Sequence, residues 1–294
     1  MKFGIYLPNF GPYGEARVLA DLAQDAENSG WDGFFIWDHI AEWTLPMVDP
    51  WVALAAIALT TQRIRIGTTV TPIPRRRPWK LAREAVSIDH LSAGRLTLGV
   101  GIGGGKSEWD HLGEEPDPKK RGVMLDEALS VLVGLWSGEL FSYAGEYYHI
   151  ENAHFLPKPL QQPRIPIWVG GNWPFKAPFR RAAKWDGVFP LFSVWDNEQQ
   201  LAQMDDMIRY LSKHRKHDQP MDIISMGVTP DAESREGVDW VEQRRTLGAT
   251  WWLECLTPDR AGVEDYAAEW PVDAMRERVL QGPPQLRKLQ KETG

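Results

Sequence analysis

One histidine of this sequence stands where proton transfer could take place. His39 follows a strand-like apolar run over residues 33–37, and its chain neighbour Asp38 carries a carboxylate. A carboxylate beside an imidazole can fix the ring's tautomer or hold its proton, as acid–base catalysis near neutral pH requires. Neighbouring side chains at a strand end can also point apart, so a purely structural histidine is the alternative interpretation.

A second candidate is the glycine-rich segment 99–107, which contains G-x-G-x-x-G and ends in Gly-Lys-Ser. A P-loop needs a glycine where Val100 stands, which argues against a nucleoside triphosphatase. A Rossmann fingerprint needs a helix directly after the glycines, but EWDHLGEEPDPKK follows, with two prolines. Glycines at a strand tip still let backbone approach a flat or anionic ligand closely, although a flexible turn would have the same composition.

Two further segments could hold a phosphate. Gly170, Gly171 and Asn172 precede a helical segment, where free N–H groups would suit an anion or a structural cap. The three arginines at 75–77 lie between prolines and form either a phosphate clamp or a solvated loop. The histidines show no metal-ligand spacing and no G-x-S-x-G elbow occurs, so we expect neither a metal site nor a serine hydrolase.

The elements that must position these residues follow from the hydrophobic pattern. The first four strand-like runs begin at residues 3, 33, 64 and 95, and steps of 30, 31 and 31 residues are typical of βα units. Between them, apolar residues recur at helical spacing, as in helices that cover a parallel sheet. The eight predicted strands are 3–7, 33–37, 64–70, 95–100, 165–169, 187–191, 222–226 and 250–253.

Helical spacing predicts a long helix from about residue 118 to Gly138, and a last helix near 264–280. Aromatic residues and prolines over 139–163 break the rhythm, which indicates an insertion of strands and loops after the fourth βα unit. Eight βα units fit a closed (β/α)8 TIM barrel better than an open doubly wound sheet. We predict one barrel domain over residues 1–294, with its active site at the carboxyl ends of the strands.

Composition narrows the function classes. Apolar residues make up 43% of the chain and charged residues 25%, which is typical of a soluble globular protein. A net charge of −7 leaves no cationic field for nucleic acid. The longest apolar run, 51–59, is shorter than the roughly 20 residues that cross a bilayer, and the N-terminus lacks a signal-peptide pattern. Cys255 is the single cysteine, so we expect no intramolecular disulfide and a cytoplasmic location.

Several motifs, in order, resemble the luciferase-like flavin and deazaflavin oxidoreductases. The resemblance covers most of the chain and implies a (β/α)8 barrel with an insertion, usually a homodimer, that acts on a small-molecule substrate. The motifs are FGIYLPNFG, WDHI, RIRIGTTVTPIPRRRPWKLAREAVSIDHLSAGRLTLGVGIGGG, EWDHLG, LVGLWSGE and IPIWVGGNWP.

The resemblance also implies roles for individual residues. It places a non-proline cis peptide bond at Thr69–Val70, behind the ring system of the cofactor. Asp38, His39 and Trp43 match the subgroup that uses the deazaflavin coenzyme F420, so these three are the expected catalytic residues. The residues expected to lie along the cofactor and its phosphate are Thr69, Val70, Gly101, Gly103, Gly104, Gly170, Gly171 and Asn172.

Two positions depart from the family pattern. Ile102 stands where bacterial luciferase offers an arginine to the flavin phosphate, which argues against FMN held in that manner. Gly104 stands where the F420-dependent sugar-phosphate dehydrogenases have a catalytic glutamate, which argues against that substrate. Glu42, Glu108 and Glu254 could supply an acid instead, and the sequence does not choose among them.

Three hypotheses follow. The first is an oxidoreductase that moves a hydride between F420 and a small organic substrate, with His39 as proton donor or acceptor, Asp38 orienting it and Trp43 walling the ring. The second is an FMN-dependent monooxygenase that uses reduced flavin and oxygen. The third, of another class, is a non-catalytic protein that binds a flavin for storage or transport.

Overall fold

The fold is a closed barrel of parallel strands, as predicted. The computed structural model describes residues 1–41, 45–194 and 196–285. The ten strands found there are β1 (Lys2–Leu7), β2 (Gly33–Ile36), β3 (Arg65–Pro72), β4 (Leu96–Gly101), β5 (Leu140–Ala144), β6 (His149–His154), β7 (Ile167–Trp173), β8 (Gly187–Phe192), β9 (Asp222–Gly227) and β10 (Trp251–Cys255). Eight of them pair in the order β1-β10-β9-β8-β7-β4-β3-β2 and close on β1, while β5 and β6 form a separate antiparallel pair.

Helices surround the barrel in the positions that the apolar spacing predicts. Two of them, α2 and α4, begin with a proline directly after an aspartate cap; in α2, Asp49 accepts hydrogen bonds from the backbone N–H groups of Trp51 and Val52. None of the helices in the described ranges is both long and apolar enough to cross a membrane. The helices are α1 (Ala16–Asn28), α2 (Pro50–Thr60), α3 (Pro78–Leu91), α4 (Pro118–Trp136), α5 (Lys176–Ala182), α6 (Asn197–His214), α7 (Arg235–Leu247) and α8 (Val272–Leu280).

The last helix begins later than the predicted 264. It starts at Val272, directly after Pro271, and the segment before it is a loop in which Gly262 has a positive φ of 77°. The loop carries Tyr266 and Trp270, whose rings pack at 5.6 Å from each other and at about 6 Å from Phe10. The residues predicted as the start of the last helix therefore form a loop that packs on Phe10, after β1.

The segment predicted as an insertion, 139–163, carries the hairpin of β5 and β6 and a following loop that lies against α3. Arg83 of α3 donates a hydrogen bond to the Leu156 carbonyl and stacks over the Phe155 ring at 3.8 Å. The buried Asp89 side chain accepts a hydrogen bond from the backbone N–H of Leu160. The insertion thus contacts the outside of the barrel through α3.

Aromatic side chains fill the barrel interior. The rings of Phe35, Trp168 and Trp251 contact one another at centroid distances of 4.9 to 5.5 Å. Gly33 is needed beside them, since a Cβ there would lie 2.5 Å from the Phe35 ring and 2.8 Å from Trp251. This dense packing closes the lower part of the lumen, so a ligand can enter only at the mouth formed by the carboxyl ends of the strands.

Candidate active site

The loops that follow β2 and β3 meet at the mouth because these strands are neighbours in the barrel. Asp38, two residues after β2, is buried, and its carboxylate accepts a 2.8 Å hydrogen bond from the Thr71 hydroxyl of β3. It also accepts hydrogen bonds from the guanidinium groups of Arg75 and Arg76, each at 2.8 Å. Asp38, which we expect from the sequence to orient His39, instead fixes the end of β3 and the arginine segment after it.

The partner of His39 is Glu108, which lies in the segment after β4. His39 Nδ1 is 3.2 Å from Glu108 Oε2, and the other carboxylate oxygen accepts hydrogen bonds from the backbone N–H groups of Ile40 and Ala41. Of the three acids that the sequence left open, Glu108 contacts the imidazole, whereas Glu42 lies outside the described residues. A carboxylate on Nδ1 favours a proton on that nitrogen and fixes the ring's orientation.

Glu108 is ionised even though its side chain is only 2% exposed. Burial alone would raise its pKa, but the hydrogen bond and charge of His39, the Ile40 N–H and the Arg75 guanidinium outweigh burial and lower the pKa to about 2. The imidazole consequently faces a fixed negative charge throughout the neutral pH range.

The arginine segment is a buried structural group rather than a phosphate clamp or a solvated loop. The Arg75 side chain is 3% exposed and bridges the two carboxylates, since its Nη1 lies 2.6 Å from Glu108 and its Nη2 lies 2.8 Å from Asp38. Arg76 donates a second set of hydrogen bonds to Asp38, and Arg77 is exposed. The positive charges of Arg75 and Arg76 are thus neutralised inside the chain.

Asn9 holds the loop of His39 from the other side. Its side-chain amide donates hydrogen bonds to the carbonyls of His39 and Val48, and its carbonyl oxygen accepts one from the His39 backbone N–H. The imidazole packs against the rings of Phe10 and Trp37 at centroid distances of 5.9 and 5.7 Å. His39 is therefore positioned by a side-chain contact, a backbone clamp and an aromatic wall, and about a quarter of its side chain is exposed.

The peptide bond between Thr69 and Val70 is cis, as the resemblance implies. Val70 is partly exposed at the mouth and is flanked by Gly101 and Gly170, where a Cβ would lie only 2.7 and 2.8 Å from the valine methyl groups. The Thr69 hydroxyl is buried, and no other described residue forms a hydrogen bond with it. This side of the mouth is therefore lined by backbone, one valine and one unsatisfied hydroxyl.

The remaining predicted cofactor residues do not all face the mouth. Gly170, Gly171 and Asn172 extend β7 and pair with β8, so they form strand rather than the expected turn before a helix. A Cβ on Gly171 would lie 2.2 Å from Pro178 of α5, so this glycine packs outward. Asn172 alternates with it, on the same strand face as Gly170, and is exposed.

The glycine loop after β4 is fixed by Trp109. Gly103 has a positive φ of 77°, and a Cβ there would lie 2.3 Å from the Trp109 ring. The indole of Trp109 donates a hydrogen bond to the Gly104 carbonyl, and Gly104 itself borders open space. Gly103 therefore allows the loop to pack closely on Trp109, whereas Gly104 leaves the surface of the loop open.

Three expected residues remain to be placed. Trp43 and Glu42 lie outside the residues that the structure describes. Glu254 faces the helix layer, because Trp251 and Leu253 of the same strand face the lumen. It is fully buried and accepts hydrogen bonds from Thr229, Trp252 and Arg260, so it is not at the mouth.

No group of three or more His, Cys, Asp or Glu side chains that could hold a metal ion occurs among the described residues. The features that the mouth does combine are an imidazole on an ionised carboxylate, an aromatic wall and a glycine-flanked cis peptide bond. The sequence profile of the family described as luciferase-like monooxygenase matches residues 1–252. The chain belongs to this family.

The names of this chain's relatives point to two kinds of cofactor, F420 and flavin. An F420-dependent glucose-6-phosphate dehydrogenase of Nakamurella multipartita is 35% identical over 171 residues, which cover 56% of this chain and 48% of the relative. The oxygenase component of a flavin-dependent trigonelline monooxygenase of Acinetobacter baylyi is 31% identical over 156 residues, 53% of this chain and 43% of the relative. The chain thus spans about half the length of the curated relatives it matches.

Solved structures of luciferase-like proteins share the fold over nearly the whole chain. An F420-dependent secondary alcohol dehydrogenase, in complex with an F420-acetone adduct, superposes with a TM-score of 0.74 at 17% identity and covers 95% of this chain and 98% of that one. A monooxygenase of Streptomyces bottropensis gives 0.75 at 20% identity, over 96% and 97% of the two chains. At such identities the likeness concerns the barrel fold alone.

The Glu108 contacts predict a specific loss of stability in acid. The pKa of Glu108 is about 2 in the folded chain against an ordinary 4.5, so its contribution is present above pH 4.5 and is lost as the pH falls towards 2. The difference corresponds to about 3 kcal/mol of unfolding free energy. Urea unfolding of wild type and Glu108→Gln at pH 6, 4 and 3 should show a markedly smaller pH dependence in the variant. Glu139→Gln, at an exposed site, is the control, and equal pH dependence in all three proteins would contradict the assignment.

Proposed function

We propose that this chain is an oxidoreductase that binds the deazaflavin F420 at the barrel mouth and transfers a hydride between it and a small organic substrate, with His39 exchanging the substrate proton. The observation that carries the proposal is the pairing of a mouth-facing imidazole with the buried, ionised Glu108 beside the cis Thr69–Val70 peptide. F420 is favoured over FMN because relatives named as F420-dependent reach 35% identity, against 31% for the flavin-dependent monooxygenase component, and because Ile102 replaces the arginine expected for an FMN phosphate.

The residues at the mouth fit a flat heterocycle. Because Gly101 and Gly170 have no side chain, Val70 packs directly on their backbone, and the buried Thr69 hydroxyl is available to a polar ring substituent. F420, when bound, supplies the hydride chemistry. Thr69, Val70, Gly101 and Gly170 would hold its ring, whereas Gly103 and Gly104 offer the backbone of the loop after β4, and Asn172 an exposed amide at the end of β7.

His39 would hold or release the proton that accompanies hydride transfer. Its Nδ1 is engaged by Glu108, so we assign the exchanged proton to Nε2. In alcohol oxidation this nitrogen would accept the hydroxyl proton, and in carbonyl reduction it would donate one. Glu108 stabilises the protonated ring, Asn9 fixes the backbone of His39, and Asp38 and Arg75 hold Glu108 and the end of β3 in register.

Cofactor choice can be tested by titrating the protein with F420 and with FMN, following ligand fluorescence. F420 should bind with micromolar or lower Kd. Gly170→Ala should weaken F420 about tenfold or more, because the added methyl must displace Val70. Gly122→Ala in α4 is the matched control, since its Cβ meets only Arg181 at an ordinary 3.7 Å. Micromolar FMN binding without F420 binding would overturn the choice and favour the flavin monooxygenase.

The role of His39 separates an enzyme from a flavin-storage protein. In His39→Asn the turnover of F420 with substrate should fall by about 10² or more, the usual scale for an acid–base residue. The F420 Kd should change less than tenfold, because the ring contacts are made by β3, β4 and β7. Steady-state turnover and fluorescence titration of the same preparation give both values. Unchanged turnover in His39→Asn would instead support the non-catalytic interpretation.

We also propose a homodimer formed through α2. This helix contains no charged residue, yet Val52 and Leu59, seven positions apart on one face, are 58% and 72% exposed. A helix that is apolar on every face is normally covered on every face. A second copy of the chain fits this surface, as the family resemblance also implies.

The dimer can be tested by light scattering on a sizing column. Wild type should elute as a dimer, and Val52→Glu with Leu59→Glu should elute as a folded monomer with unchanged circular dichroism, because two carboxylates would be buried unpaired at the contact. Leu140→Glu, on the exposed hairpin strand β5, is the control and should remain dimeric. A dimeric double variant would exclude α2 as the contact.

A further inference from the structure

The upper layer of the barrel lumen is apolar. Trp37, Val70, Leu191, Met226 and Cys255 come from five different strand ends, pack on the aromatic interior and are each partly exposed. Val70 lies on the glycine side that we assign to the cofactor ring. Leu191, Met226 and Cys255, at the ends of β8, β9 and β10, therefore form the floor of the remaining space, where a substrate would lie.

The rim above this floor is acidic. The segments that follow β8, β9 and β10, residues 193–196, 228–234 and 256–271, contain seven acidic residues and one basic residue, Arg260. The Arg260 side chain is buried, and it donates hydrogen bonds to Glu254 and to the carbonyls of Cys255 and Thr229. No cation of these segments is left to pair with an anionic substrate.

Two helix starts on this side, those of α6 and α7, are also satisfied by the chain's own side chains. TIM barrels commonly bind phosphate on loops after their seventh and eighth strands, which here are β9 and β10. After β9, however, Asp231 accepts hydrogen bonds from the N–H groups of Glu233 and Ser234, and Ser234 caps α7. Asp196 caps α6 in the same way, at Gln199 N. Acidic caps at these positions would repel a phosphate.

The polar groups near the floor are neutral donors. Burial raises the pKa of the Tyr6 hydroxyl well above its usual range, and the neighbouring Cys255, Tyr266 and Asp259 raise it further. Burial likewise raises the pKa of the Cys255 thiol. A hydroxyl and a thiol that stay protonated can bond a neutral oxygen, whereas Asp259 adds negative charge beside them.

We propose that the substrate side of this mouth is built for an uncharged, largely apolar alcohol or carbonyl compound, with Leu191, Met226 and Cys255 as specificity residues, and excludes phosphorylated substrates. The proposal rests on the proposed F420-dependent function. It separates this chain from its sugar-phosphate dehydrogenase relatives, because the single cation of these three segments, Arg260, is already paired inside the chain and the starts of α6 and α7 are capped by the chain's own side chains.

The test uses protein already loaded with F420. A failure to bind F420 in the titration described above would therefore count against the proposed function, and not against this substrate proposal. Saturation-transfer NMR should detect binding of cyclohexanone to the loaded wild type. Added cyclohexanol should compete for the same site and reduce this signal. Glucose 6-phosphate at the same concentration should neither bind nor compete. Turnover of F420 should follow the same preference.

The variant Met226→Lys places a charge in the apolar floor and should weaken cyclohexanone at least tenfold while leaving the F420 Kd within a few-fold. Met124→Gln, in α4 of the outer helix layer and packed on a different apolar cluster from Met226, is the control and should bind as wild type does. Leu191→Ala is a milder second variant that should shift preference from cyclohexanone to the larger cyclooctanone. Binding or turnover of glucose 6-phosphate in preference to cyclohexanone by loaded wild type, or unchanged ketone binding in both floor variants, would overturn the proposal.

Discussion

The site depends on one buried ionic arrangement, in which Arg75 holds Asp38 and Glu108 together. Both carboxylates and the guanidinium are almost completely removed from solvent, so each would carry a large desolvation cost without its partners. Removal of one member of such a group typically costs about 3–5 kcal/mol, because a buried charge is left uncompensated. The loops after β2, β3 and β4 are therefore fixed as one unit, and His39 takes its position from that unit rather than from its own strand.

This arrangement divides the mouth into two chemically different halves. On the side of β3, β4 and β7, Gly101 and Gly170 have no side chain, so Val70 packs directly on their backbone. On the side of β8, β9 and β10, side chains are present but apolar, and charge is confined to an acidic rim. His39 stands at the border, with its aromatic wall formed by Phe10 and Trp37. A planar cofactor and a neutral substrate placed on these two halves would meet beside the imidazole.

The barrel fold could be predicted from the sequence because the spacing of apolar runs along the chain is a local property. Apolar runs predicted all eight barrel strands, the first four of them at steps of 30 or 31 residues, and the resemblance predicted the cis bond at Thr69–Val70. The errors occur where a local pattern has two physical outcomes. Gly170 and Gly171 could end a strand or extend it, and only pairing with β8 decides for the strand. Residues 264–271 have helical composition but are used as a loop, because Tyr266 and Trp270 pack on Phe10.

The pairing of His39 with Glu108 could not be read from the sequence, because 69 positions separate the two residues and Asp38 is the nearer carboxylate. Proximity along the chain favoured Asp38 as the partner of His39. In the barrel, however, β3 lies between β2 and β4, and the loop after β4 crosses it to reach the loop after β2. The three arginines at 75–77 carried the missing information. Two acids and two cations buried at one site must neutralise one another, so Arg75 and Arg76 require two carboxylates nearby. Asp38 supplies one of them, and the second has to come from another loop, which is the position that Glu108 fills beside the imidazole.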